Sequence, residues 1–313
     1  MASHTRARVF ARLGSVAVAM LLLGSTACGS GADTPVAEAG PRPILVGAFD
    51  FDESQVLAQI YATTMHDHGY PVEVLENVAS REIMEPALEQ GKVDFVPEYL
   101  GTALSFIDPG TDPSYSTPES THLMLSGALA RKGVEVLDLA PAENKNEVVV
   151  TSETAKRYHL STISDLKKVA DELVFGGPPE CPTRPHCLGG LESTYNLKFE
   201  SFLPLDSGGP LTVAALRGGE IDVALLFTTT PQIDEFKFKV LHDDRHLQPA
   251  ENVVPVVRQA VLAEQGPELE QLINTVSSNL TKERLRDLNR RVEDDPASVV
   301  AREWLDEIGL GGR

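Results

Sequence analysis

The residues best suited to chemistry are aromatic rings set beside carboxylates and hydroxyls. They are Phe49, Asp50 and Phe51, followed at once by Asp52 and Glu53; Tyr99 with Thr102; Asn146 with Glu147; Arg184; Asp206; and Phe227 with Thr228 and Thr229. The negative face of an aromatic ring attracts a cation, and a carboxylate does so by charge, so the set suits a positively charged ligand. Arg184 adds a planar fork that matches a carboxylate. This chemistry is recognition rather than bond making.

Two patterns imitate catalysis. Asp206-Ser207-Gly208-Gly209-Pro210-Leu211 matches the nucleophile segment of trypsin-like serine proteases, and His186-Cys187 mimics their histidine motif. In those proteases the histidine lies far upstream on a separate β-barrel, whereas here it lies shortly before the serine in an alternating α/β chain. A triad is defined by geometry and not by a string. A Gly-Gly-Pro turn opening a helix over 211–217 accounts for the same residues, and its free N–H groups could face an anion or a polar ligand. His66-Asp67-His68 and His242-Asp243-Asp244-Arg245-His246 are read as solvated surface, because histidines at i and i+2 on a helix do not share a face. No phosphate loop, zinc-protease helix or dinucleotide fingerprint is present. The expectation is therefore no enzyme, no metal and no cofactor.

Alternating elements must position these residues. Strands are expected at 44–47, 72–75 and 93–96, and helices at 54–68 and 81–90, the first with Leu57, Ile60, Tyr61 and Met65 on one face. Such alternation implies a largely parallel sheet covered by helices. The C-terminal third reads as helices over 267–279, 281–292 and 296–308, with Trp304, Val299, Val300 and Ile308 on an apolar face.

The chain also repeats itself. Ala87-Leu88-Glu89-Gln90-Gly91-Lys92-Val93-Asp94 and Ala215-Leu216-Arg217-Gly218-Gly219-Glu220-Ile221-Asp222 share the pattern A-L-x-x-G-x-(V/I)-D. Each is a helix end, a glycine stop and a buried strand. The first runs into Pro97-Glu98-Tyr99-Leu100-Gly101-Thr102 and the second into Phe227-Thr228-Thr229-Thr230, which suggests two lobes with a ligand cleft between them. Segments 141–146 and 246–251, each flanked by strands, read as two crossovers. One lobe would hold residues 44–145 and 250–313, the other 146–249, and two crossing strands would form a hinge.

Composition narrows the setting. The chain has 313 residues, 42% of them hydrophobic, and a formal charge of −19. That length suits two domains, and that charge argues against a nucleic-acid partner. Arg6, Arg8 and Arg12, the apolar run 16–23 and Gly24-Ser25-Thr26-Ala27-Cys28 read as an export signal over 1–27, with Cys28 where a lipoprotein carries its acylated cysteine. Ser25 stands at −3, where Leu or Val is usual. The apolar run falls short of the about 20 residues needed to span a bilayer. Residues 28–43 read as a flexible tether, rich in Gly, Ala, Ser and Pro. Removing the signal, with its three arginines and no acids, takes the charge from −19 to −22. An exported protein sits in an oxidising place, so a disulfide between Cys181 and Cys187 is the default; a metal site with His186 is the alternative.

At these motifs the sequence resembles the substrate-binding lipoproteins of ABC importers for glycine betaine, choline and related quaternary amines. The matching segments are Gly47 to Ser54, Ala87 to Thr102, Glu180 to Gly190, Asp206 to Thr229 and Pro249 to Val257, in family order. The resemblance implies a two-lobed type II periplasmic-binding-protein fold, each lobe a mixed sheet flanked by helices, joined by two hinge crossovers. It implies capture of a quaternary amine by a monomer anchored to the outer face of the bacterial cytoplasmic membrane, and delivery to permease and ATPase subunits. The sequence departs from the family at the cage: Glu147 replaces a tyrosine expected after Asn146, Phe227 stands where some members have tyrosine, and Thr230 stands where an aspartate is usual. A carboxylate at 147 would compensate a cation directly and disfavour a zwitterion.

Overall fold

The computed structural model describes residues 42–76 and 80–312; the export signal, Cys28 and nearly all of the 28–43 tether lie outside the described residues. Two five-stranded sheets organise the chain. The first contains β1 (Ile44–Gly47), β2 (Val72–Leu75), β3 (Phe95–Tyr99), β4 (Val134–Val136) and β10 (Val253–Arg258), in the order β2-β1-β3-β10-β4. The second contains β5 (Asn146–Val150), β6 (Val174–Gly177), β7 (Ser201–Pro204), β8 (Val223–Phe227) and β9 (Lys239–Val240), in the order β7-β6-β8-β5-β9.

The two orders are the same pattern written twice. In each sheet four strands point the same way, while the strand that arrives by a crossover, β10 or β5, runs antiparallel to both neighbours. Each sheet is therefore mixed, as the resemblance implied, with four of its five strands in the one direction that helix–strand alternation pointed to. A strand entering from the other half of the chain runs back along its neighbours and can pair only in reverse.

The sequence repeat is a repeat of structure. Gly91 and Gly219 both stop a helix in the left-handed region, with φ of 70° and 73°, where an L side chain is strained. Asp94 and Asp222 then do the same work. The Asp94 carboxylate accepts Leu45 N–H at 3.0 Å and the Asp222 carboxylate accepts Val174 N–H at 2.9 Å, each pinning the start of the adjacent strand. Asp94 also holds Arg42 and Arg258 at 2.7 and 3.0 Å. This junction is why β3 begins at Phe95 rather than at 93, and the strand continues through Pro97, opposite Pro255, to Tyr99.

Helices Asp52–Asp67, Pro267–Asn279, Lys282–Arg291 and Ala297–Glu307 bury apolar faces in the first sheet's core. Trp304 and Val300 lie in that core, but Val299 is 43% exposed, because the buried face of its helix runs through 300, 301, 304 and 305. The second sheet carries a separate apolar cluster on each face, one with Val148, Val150, Val223 and Leu225, the other with Val149, Ala224 and Leu226. Among the described residues no helix is long and apolar enough to cross a membrane.

The crossovers lie side by side. Glu143 and Asn252 form an antiparallel bridge, and Asn144 N–H donates to Glu251 O at 2.9 Å. Gly101 packs so closely beneath them that a Cβ there would sit 2.4 Å from Pro249.

Candidate ligand-binding cleft

A cavity of about 780 Å³ is walled by both sheets and both crossovers. Tyr99 and Phe227 reach it from equivalent strand ends, and Phe51 from the turn after β1. Phe51 links the other two: its ring centroid lies 5.9 Å from Tyr99 and 5.8 Å from Phe227. Thr102, Asn146 and Arg184 also line the cavity.

The other residues expected at the site stand elsewhere. Phe49 is core, stacked on Phe51 and covered by the Arg81 guanidinium 5.4 Å from its ring centroid. Asp50 is exposed. Asp206 caps the helix Pro210–Gly218, its carboxylate accepting Leu211 N–H at 2.8 Å and Thr212 N–H at 2.9 Å. The free N–H groups anticipated there are thus taken by the chain itself. Thr228 is tied to the first crossover, accepting Lys145 N–H at 3.0 Å. Thr230 closes the turn after β8 by accepting Phe227 N–H at 3.1 Å. Glu147 alternates with Asn146 along β5, so its side chain leaves on the opposite face from the cavity. Burial pushes its carboxyl up to about 7, against the pull of Lys282.

Thr229 joins a network centred on Glu53, which the sequence placed in the 49–53 segment of rings and carboxylates without a role of its own. The buried Glu53 carboxylate accepts four hydrogen bonds: Tyr99 OH and Asn144 Nδ2 at 2.7 Å, and Thr229 Oγ1 and Asn289 Nδ2 at 2.6 Å. Burial raises its pKa while all four donors pull it down. The donors come from the first sheet, a crossover, the second sheet's end and a C-terminal helix. The sequence signal for Glu53 was its place among the rings and carboxylates of 49–53, and nothing local pointed to Asn289.

Further contacts close the cleft from the two sides. Arg184 meets Glu82 at 3.0 Å, and Arg286 pairs with Asp234. His186 Nε2 lies 2.7 Å from Ser105 Oγ, and its Nδ1 lies 2.9 Å from Leu247 O. A carbonyl only accepts, so Nδ1 carries the proton and Nε2 accepts from Ser105 in the neutral ring. Burial depresses the His186 pKa, which favours that neutral form. Both ring nitrogens are engaged and Cys181 and Cys187 form a disulfide, so the alternative of a metal site there is not met. Ser207 lines the cavity, but His186 is bonded to Ser105 instead.

Beneath the cavity lies a buried charge cluster. Arg81 grips Glu98 through Nε at 2.8 Å and Nη2 at 2.7 Å. Glu251 accepts Gly101 and Thr102 N–H at 3.1 and 2.9 Å, and burial pushes its carboxyl up to about 8 despite Arg81.

A family model described as the substrate binding domain of ABC-type glycine betaine transport systems matches residues 42–307. The carnitine transport binding protein of Listeria monocytogenes is 29% identical over 273 residues, covering 84% of this chain and 85% of that one. The glycine-betaine-binding protein of Pseudomonas aeruginosa is 28% identical over 281 residues, covering 85% and 88%. A crystal structure of a glycine betaine/carnitine/choline ABC transporter component aligns with a TM-score of 0.66 at 26% identity, covering 85% of this chain and 99% of that one. The paired mixed sheets are the two lobes of a type II periplasmic-binding-protein fold. With the family matched over nearly all its described length and a cavity enclosed between two like halves, the chain belongs to the substrate-binding proteins of ABC-type glycine betaine transport systems.

Proposed function

We propose that the cleft captures a quaternary amine, glycine betaine, choline or a relative, for osmoprotectant uptake, and that the loaded protein delivers it to a permease driven by an ATPase. The observation that carries this reading is the convergence of Phe51, Tyr99 and Phe227 on one cavity from both sheets. Rings so placed offer their faces to a positive head group. The lobes, 44–145 with 250–313 and 146–249, close about the paired crossovers. The chain works as a monomer, exported and held at the outer face of the membrane through Cys28. A cavity of about 780 Å³ with several hydroxyls on its wall also accommodates bulkier cargo in the same transport role.

A thermal-shift panel of quaternary amines, polyamines, amino acids and sugars tests the assignment. A ligand that prefers the native state raises the melting temperature. The expected result is a shift with at least one quaternary amine, lost in Tyr99→Ala; no shift with any of them overturns the cargo class.

A further inference from the structure

We propose that this cleft selects a ligand with net positive charge and no carboxylate, a choline-type ammonium alcohol, over zwitterionic betaines. The proposal rests on the quaternary-amine reading above and concerns the other end of the ligand. A betaine carboxylate drawn out of water needs a cation or several donors to replace its hydration. Among the described residues lining the cavity the basic side chains are Arg81, Arg184 and His186, and none is a lysine.

All three are already engaged. Arg81 spends its planar fork on Glu98, bidentate, with its side chain 8% exposed. Arg184 lies between two carboxylates, Glu82 at 3.0 Å and Glu180 at 3.3 Å. One guanidinium facing two acids leaves that group at net negative charge. A ligand carboxylate that took Arg184 would strand both acids beside itself. His186 has both ring nitrogens bonded to the chain. The other ionisable groups on the wall are Glu82, Asp112 and Glu251, all acids; burial keeps Glu251 protonated at neutral pH, which leaves Glu82 and Asp112 as the charges. The rings of Phe51, Tyr99 and Phe227 attract the ammonium head, and the wall repels a carboxylate tail. Ser207 offers a hydroxyl partner to an alcohol.

The test is isothermal titration of the full chain with choline and with glycine betaine, which share one trimethylammonium head. Choline is expected to bind at least about tenfold more tightly, a factor worth about 1.4 kcal/mol. Equal affinity, or tighter betaine, overturns the proposal and leaves the quaternary-amine reading standing; binding of neither overturns both. Glu82 is 42% exposed at the rim, so Glu82→Gln keeps the fold while removing one of the two acids on Arg184. In Glu82→Gln the choline-to-betaine preference is expected to fall several-fold. An unchanged preference overturns the proposal.

Discussion

Glu147 shows how much one side chain's environment decides. Its position after Asn146 made it a candidate to meet a cation, yet strand alternation turns it away from the cavity and burial holds its carboxyl at about 7. Glu251 is likewise raised to about 8, and Glu85 is raised by burial and by neighbouring Glu98. These folded values lie above the unfolded glutamate value of about 4.3, so the native state keeps protons that the unfolded chain releases. Stability from these groups is full below the unfolded value and is lost as pH rises through the folded ones. The melting temperature is therefore expected to fall between about pH 5 and pH 8. Glu147→Gln should flatten this fall, recovering at most about 4 kcal/mol at the alkaline end. Calorimetry across that range checks it; parallel profiles for parent and variant contradict it.

At the scale of elements, the helix–glycine–strand junctions were legible because their determinants are local. Ala-Leu packs the helix end, glycine supplies the left-handed stop and the aspartate follows, all within eight residues; only the strand that the aspartate pins is distant in sequence. The three C-terminal helices were legible for the same reason, from apolar spacing and from caps such as Thr281, which accepts Arg284 N–H at 3.3 Å. The loop from Cys181 to Cys187 is different. Its disulfide closes a short ring that carries Arg184 and His186 to the cavity, and Gly190 behind it leaves no room for a Cβ beside Pro185 O. Cys181→Ser with Cys187→Ser is expected to cost about 2 kcal/mol in urea unfolding, the loop-closure value for so short a ring. It should also weaken ligand binding in titration, because two cleft residues lose their tether. Unchanged affinity would show that the cleft holds the loop without the bond.

At the scale of the whole molecule, Glu53 ties together what the crossovers keep apart. Its four donors lie up to 236 residues from it in sequence. Glu53→Ala would leave those donors facing a void, at a cost on the order of 3 kcal/mol, and would free Tyr99, weakening ligand binding. Glu53→Gln keeps the shape and one acceptor oxygen, so its loss should be smaller in both urea unfolding and titration. Equal losses in the two variants would mean that the network fills space rather than orients Tyr99.

The sequence by itself determined the alternation of strands and helices at the start of the chain, the C-terminal helices, the internal repeat, the two crossovers and the family. Each of these is written in short-range periodicity, in glycine stops or in motif order. Only the tertiary structure decided which acids hold Arg184, which face of β5 carries Glu147, and that Glu53 is a junction. Periodicity tells a side chain which face it takes on its own element. The partner that satisfies a buried charge is chosen by whichever distant segment the fold brings within hydrogen-bond reach, as Glu82 is brought to Arg184 across 102 residues.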